Sequence, residues 1–218
     1  MSARPSTRQS LLLIGCGSHA RVVLDLARAQ GPLWKVVVAI DAMKKPDAAE
    51  LEGVPIRGGP DDLEPLLSGV HGALLGIGDN ALRERLGARV LAAKRALVSC
   101  FHPKSSISPR SRIGPGVAAC PGAVVMTGAV VGEGAILNTG CTVDHDCEIG
   151  AYAHIAPGAH LGGRVKVGAR TLIGIGASVR QNIRIGADAV VGAGAAVVAD
   201  VPDGVTVVGV PACPSFRR

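Results

Sequence analysis

Residues 107–197 read ISPRSR IGPGVA ACPGAV VMTGAV VGEGAI LNTGCT VDHDCE IGAYAH IAPGAH LGGRVK VGARTL IGIGAS VRQNIR IGADAV VGAGAA V when cut into sixes from Ile107. The first residue of every block, from Ile107 through Ile155 to Val197, is aliphatic, with Ala119 as the single Ala. A period of six fits neither the 3.6 of a helix nor plain strand alternation, and short fixed-period self-similarity marks a solenoid. Two residues before almost all of these stops stands a small residue, among them Ala135, Cys141, Cys147 and Ala153. Side chains two apart on a strand share a face, so each block supplies one short strand with a small and a large residue inward, followed by a corner. Glycine crowds the corners, as at Gly132, Gly134, Gly150 and Gly158, where the chain needs φ > 0 or close approach of backbone. Three strands and three corners close an eighteen-residue triangular coil, and the blocks predict about five coils stacked as a parallel β-helix.

Residues 11–100 follow a different rhythm. Leu11–Ile14 reads as a strand, Ser18–Ala29 as a helix and Lys35–Ile40 as a second strand ending at Asp41. Asp61–Leu67 and Asn80–Ala93 read as helices, His71–Gly76 and Ala96–Cys100 as strands. Strands alternating with helices indicate a small Rossmann-like parallel sheet. The chain thus divides into an α/β domain over residues 1–103 and a β-helix over residues 104–218.

Composition narrows the function classes. The 218 residues include only Trp34, Tyr152, Phe101 and Phe216 as aromatics, which suits a narrow prism filled by Val, Ile and Ala. The net charge of +6 raises the question of nucleic acid, but the basic residues have no stacking aromatics among them, and anionic small molecules are the better partners. The apolar run Leu11–Ile14 is too short for a signal segment or a membrane span, so the expectation is a soluble, cytoplasmic protein. Six cysteines form no C-x-x-C pair, and Cys141 and Cys147, in the small inward slot, read as buried packing thiols.

Two stretches carry chemistry. Gly15-Cys16-Gly17-Ser18-His19-Ala20-Arg21 joins the first strand to the first helix, with Asp41 closing the next strand. This is a partial dinucleotide fingerprint: glycines let phosphate approach the helix N-terminus and the acid can hold a ribose or base. Ala20 stands where the third glycine would be, and a tight βα turn with no ligand fits the same residues. The second stretch is Val143-Asp144-His145-Asp146-Cys147, which places His145 in a corner between two acids, where a carboxylate can orient the ring and raise its basicity. On spacing alone a solvated corner histidine remains open.

The segments G-C-G-S-H-A-R-V-V at Gly15–Val23, A-I-D at Ala39–Asp41, G-I-G-D-N-A-L-R at Gly76–Arg83, F-H-P at Phe101–Pro103 and the run Asn138–Gly163 together resemble the nucleotide-sugar and sialic acid acetyltransferases with hexapeptide repeats, including the bacillosamine and perosamine N-acetyltransferases. The resemblance implies a left-handed β-helix and an acetyl-CoA-dependent homotrimer with no metal. It implies His145 as general base, supported by Asp146, and His154, Gly163 and Ile175 as acetyl-CoA contacts. It implies Gly17, Ser18, His19, Asp41 and Asn80 as contacts to the nucleotide sugar. His160 is left as a surface or interface residue. Arg164, Lys166, Arg170, Arg180 and Arg184 lie in the coils where the family's cofactor phosphates bind. The expected reaction is N-acetylation of a nucleotide-linked amino sugar by direct transfer. The alternatives are O-acetylation of sialic acid and, more distantly, a γ-type carbonic anhydrase, although that family spaces two histidines five apart whereas the gaps here are nine and six. An inert structural solenoid is the third alternative, but it has no use for the H-D-C corner.

Overall fold

The computed structural model describes residues 9–32, 34–41 and 49–215, which fall into two compact units dividing between Pro103 and Lys104. In the first unit, β1 (Gln9–Ile14) lies between β2 (Trp34–Ile40) and β5 (Gly72–Leu75), with β6 (Ala96–Leu97) beyond, all parallel. The helices α1 (Ser18–Ala29), α2 (Leu63–Ser68) and α3 (Asn80–Ala92) alternate with these strands. Leu11, Leu12, Leu13 and Ile14 are all fully buried, as a strand apolar on both faces requires when helices cover the sheet. A short hairpin of β3 (Glu50–Leu51) and β4 (Val54–Pro55) turns through Glu52 and Gly53, both at positive φ. This hairpin was not among the sequence expectations, because two-residue strands carry no readable periodicity.

The order β2-β1-β5-β6 makes β1 a topological switch point. The chain leaves β1 toward β2 on one side and returns to β5 on the other, and crevices open at the carboxyl ends of strands at such points.

From Ser106 to Val197 the second unit lays down sixteen two-residue strands, one per block. Each pairs in parallel with the strand eighteen residues on: Ala118 with Ile136, Ile136 with His154, His154 with Leu172, Leu172 with Val190. From Ala119 onward every stop is buried; Ile107 and Ile113 are half-buried because their strands begin their sheets and have a rung on one side only. Each aliphatic side chain so enclosed is stabilising by about 1.5–3 kcal/mol. Cys141 and Cys147 are fully buried in the small slot, and burial pushes the Cys141 thiol up to about 12.

The corners contain two kinds of glycine. Those directly after a stop have ordinary φ but no room: a Cβ on Gly150 would lie 2.5 Å from backbone atoms of Gly168 and Ala169 in the next coil. The third corner residue instead takes the left-handed conformation at fourteen successive corners, from Gly116 to Gly194. From Gly134 on, its N–H turns onto the second corner residue of the coil below, as in Tyr152 N–H to Glu133 O at 2.7 Å and Arg170 N–H to Ala151 O at 2.9 Å. Asp146, Tyr152, Arg164, Arg170, Asn182 and Asp188 hold this conformation without being glycine, each repaid by that bond.

The coils number about six rather than five. At the next stop stands Asp203, so the grid slips by two residues, and Thr206–Val208 pairs with Val190–Val191 across sixteen residues instead of eighteen. Asp200 and Asp203 accept from Arg184 N–H and Ala187 N–H, both at 2.8 Å, satisfying donors the shortened coil leaves over.

The two glycine types are expected to differ in unfolding experiments. Gly150→Ala, which meets backbone that cannot yield, should destabilise the β-helix by about 3 kcal/mol or more. Gly140→Ala, at φ +66° with open space around it, should cost about 1 kcal/mol. Denaturant titrations followed by circular dichroism check the ordering; equal losses would contradict the distinction.

Candidate functional site

In the first unit, three strand ends meet at the switch point. Gly15 N–H donates to Ile40 O at 2.9 Å, Gly76 N–H to Ile14 O at 2.8 Å, and Asp41 N–H to Gly58 O at 3.0 Å. Gly15 sits at φ +115°, and a Cβ there would lie 2.5 Å from Gly76 O, so the two turns press backbone on backbone. Opposite Ala20, the position lacking the third fingerprint glycine, Gly76 provides the space instead: a Cβ on Gly76 would lie 2.8 Å from Ala20 Cα and Cβ.

These turns enclose a cleft of about 500 Å³ lined by Gly15, Cys16, Gly17, Ser18, His19, Asp41, Gly76, Ile77, Gly78 and Leu82. Four of the five residues expected to hold the nucleotide sugar, Gly17, Ser18, His19 and Asp41, therefore line one cavity. Asn80 does not line it; its Oδ1 accepts from Arg83 Nη2 at 2.7 Å. Gly17 is the N-cap of α1, no acid occupies the first turn, and a Cβ on Gly17 would meet nothing, so an anion can approach the helix N-terminus closely. Burial, and then the charge of Arg83, push the His19 imidazole down from 6.5 to about 4, leaving it neutral near pH 7. Burial and then Asp41 push the Cys16 thiol up to about 11, which makes it a poor nucleophile.

The sequence reading overlooked Arg83. It is fully buried, and its phase with Gly87 and Val90 on α3, at spacings of four and seven, is the signal that would have placed it on the inner face.

In the β-helix, His145 and Asp146 are the second and third residues of one corner. The left-handed φ of Asp146 (+58°) turns its carboxylate beside the preceding ring, and Asp146 Oδ2 lies 2.9 Å from His145 Nδ1. A carboxylate at Nδ1 holds the proton there and leaves Nε2 with its lone pair. His145 N–H is tied to Asp144 Oδ1 at 2.7 Å, and His145 O accepts from Arg164 N–H at 2.9 Å. The imidazole lies over Gly163, its counterpart eighteen residues on: a Cβ at Gly163 would lie 2.5 Å from Nε2 and 2.6 Å from Cε1. Among the described residues the N–H of Gly163 has no acceptor, and neither has that of Ile175, which is exposed. The second corner residues in general leave this N–H unpaired, so it is the ring of His145 that distinguishes Gly163.

His154 stands on a different sheet, with Nε2 3.1 Å from Asn138 Nδ2. Asn138 Oδ1 accepts from Thr139 N–H at 2.8 Å, so the amide presents its NH2 to the ring and Nε2 is the acceptor. His160 stands on a third position, exposed, with Nδ1 2.9 Å from Thr142 Oγ1. His145, His154 and His160 thus leave the coil from a corner and two different sheets, and among the described residues no group of three His, Cys, Asp or Glu could hold a metal. Of the five basic residues noted above, Lys166 pairs with Glu148 at 2.6 Å, Arg170 takes Asp188 through two bonds of 2.7 Å, and Arg164 bonds Asn182 at 2.7 Å. Among the described residues Arg180 and Arg184 keep unpaired guanidinium groups.

Residues 10–90 match the PglD N-terminal domain family, and residues 128–163 match the bacterial transferase hexapeptide family. The chain is similar to the acetyltransferase domain of PglB from Neisseria gonorrhoeae, with 37% identity over 95% of this chain and 100% of that one and a TM-score of 0.89. A structure of the same domain in complex with acetyl coenzyme A is 36% identical over 96% and 100%, with a TM-score of 0.87. PerB from Caulobacter crescentus, in complex with CoA and GDP-perosamine, is 39% identical over 95% of this chain and 97% of that one, with a TM-score of 0.89. No curated protein matches the sequence.

A neutral, half-buried His19 ties stability to pH. The unfolded chain takes up a proton below about 6.5 that the folded imidazole refuses until about 4. Its contribution is therefore complete above pH 6.5 and is lost as pH falls toward 4, on the order of 3 kcal/mol in all. Urea midpoints measured across pH 4–7.5 should fall more steeply for the wild type than for His19→Gln; parallel profiles would exclude a depressed His19.

Proposed function

Because the chain belongs to the hexapeptide-repeat acetyltransferases that carry a PglD-type N-terminal domain, we propose that it moves the acetyl group of acetyl-CoA to the amino group of a nucleotide-linked amino sugar. The acetyltransferase activity and the acetyl-CoA co-substrate follow from the family. The nucleotide-sugar acceptor and the roles of individual residues are the proposal. The observation that carries it is His145: Nδ1 engaged by Asp146, Nε2 lying over Gly163, whose N–H has no acceptor among the described residues.

In this reading the amine attacks the thioester carbonyl directly. Nε2 of His145 removes the proton from nitrogen, the C–N bond forms as the C–S bond breaks, and the proton returns to the departing CoA sulfur. Gly163 N–H donates to the carbonyl oxygen as negative charge develops there, a contact that strengthens in the transition state. His154 and Ile175 line the path of the cofactor. Arg180 and Arg184 are the available cations for its phosphates. Gly17, Ser18, His19 and Asp41 hold the nucleotide, with the α1 N-terminus receiving the diphosphate. No covalent acyl-enzyme is needed, and Cys16, Cys120, Cys141 and Cys147, whose thiols burial pushes up, are unsuited to forming one. PerB, which binds GDP-perosamine, favours nitrogen over the hydroxyl of a sialic acid as the acceptor atom.

We further propose a homotrimer acting in the cytoplasm, where acetyl-CoA and nucleotide sugars are made. In support, the family resemblance implies such an assembly, and no helix among the described residues is long and apolar enough to cross a membrane.

The direct test is thiol release from acetyl-CoA in the presence of UDP-, GDP- and dTDP-linked 4-amino sugars and of sialic acid. One 4-amino sugar should be turned over, and His145→Ala should lower that turnover by about 10²–10⁴ while acetyl-CoA still binds. Undiminished turnover in His145→Ala would remove the base assignment, and turnover of sialic acid alone would transfer the chain to the O-acetyl class. Light scattering should give three times the monomer mass; a stable active monomer would contradict the assembly.

A further inference from the structure

Arg83 is the one fully buried charged side chain among the described residues. Its Nη1 donates to the carbonyls of both Ile77 and Gly78 at 3.1 Å, and its Nη2 to Asn80 Oδ1 at 2.7 Å. Taking a guanidinium out of water is costly unless it is fully engaged, so its placement beneath a three-residue turn calls for a physical reason.

The reason lies in what the carbonyls cannot then do. In a trans peptide C=O and N–H point in opposite directions. Turning the carbonyls of Ile77 and Gly78 inward, onto Arg83, turns the N–H groups of Gly78 and Asp79 outward. Neither N–H has an acceptor among the described residues. Gly78 is exposed and lines the same cleft as Gly17, and a Cβ on Gly78, as on Gly17, would meet nothing within 4 Å. A ligand can therefore reach this backbone. The Asp79 carboxylate, which would repel an anion, is turned onto Leu82 N–H at 2.7 Å as the cap of α3.

We propose that Arg83 is a positioning residue: by holding two carbonyls beneath the turn it presents the Gly78 and Asp79 amides to the diphosphate of the bound nucleotide, which it does not itself touch. This makes the β5–α3 turn a second anion-binding wall beside the α1 N-terminus, and it rests on the nucleotide-sugar reading above. Arginine suits the task because one planar group reaches two carbonyls and an amide at once, whereas a lysine ammonium lacks that fixed fork.

Calorimetry on the full chain with GDP, UDP and dTDP separates the possibilities. The wild type should bind at least one of them, and Arg83→Met should weaken that binding about tenfold or more, with Arg83→Lys in between. KM for acetyl-CoA should stay within about twofold in both variants, a split that a general loss of structure would not produce. If the wild type binds none of the three, the nucleotide-sugar reading and this inference fall together. If it binds and both variants bind within about twofold of it, only the role of Arg83 falls. Should the variants not fold, amide spectra of the wild type titrated with the nucleotide that binds decide instead. The Gly78 and Asp79 resonances must move, and unmoved resonances would overturn the inference.

Discussion

Parallel pairing of each residue with the one eighteen positions on is the constraint from which the second unit follows. Such pairing stacks every strand on its own kind, so a stop always lies over a stop, as in Ile149 on Val131 and beneath Val167. The corners must then also repeat, and they do so with two separate demands. Directly after a stop the next coil's backbone comes so near that Gly150 has no space for a Cβ, while two residues later the chain must turn left-handed to direct an N–H onto the coil below. Where the eighteen-residue step can no longer be kept, at Asp203, the helix contracts and ends within one coil.

That same regularity creates the chemistry of the His145 corner. The second corner position points His145 outward, and the left-handed third position sets the Asp146 carboxylate back beside its ring. Placing His and Asp in those slots yields an oriented imidazole with no dedicated loop. Placing Gly163 one coil on clears the floor for the ring, where a Cβ would meet Nε2 and Cε1. Other corners use the slots for stability instead: Tyr152 covers Gly134 and bonds Glu133, and Arg170 clamps Asp188. Such exposed ion pairs are worth only about 0–1 kcal/mol each. The scaffold is thus a set of equivalent positions, of which the described residues dedicate one corner to an imidazole–carboxylate pair.

The first unit reaches a binding cleft by a different route. Its strand order reverses at β1, so three strand ends, rather than a long loop, surround the cavity. Gly15 and Gly76 let two of those turns touch through backbone, and the hairpin β3–β4 leads into Gly58, which holds Asp41 in place. His19 stays uncharged among these elements, so it can serve as a neutral hydrogen-bonding group toward an anion rather than as a counter-ion.

Much of this was legible in one dimension. The stops, the inward cysteines, helix α1 with both of its ends, the corner position of His145 and the gathering of Gly17, Ser18, His19 and Asp41 all follow from periodicity, turn chemistry and a resemblance carried by quoted residues. What escaped was whatever depends on contacts between segments distant in the chain. The β3–β4 hairpin is too short to have a period, and the contraction at Asp203 depends on which rung Val207 can reach. The two kinds of corner glycine look identical as letters, since crowding is a property of the neighbouring coil. Arg83 reads as a solvated helix residue until Ile77, Gly78 and Asn80 are folded around it. The sequence alone therefore determined the repeat, the order of the α/β and β-helix units and the corner slots that His145 and Asp146 occupy, because these are set by local spacing. Only the tertiary structure decided which atoms of those residues face one another, because a hydrogen bond across eighteen residues, or a ring resting on a glycine of the next coil, exists only once the coils are stacked.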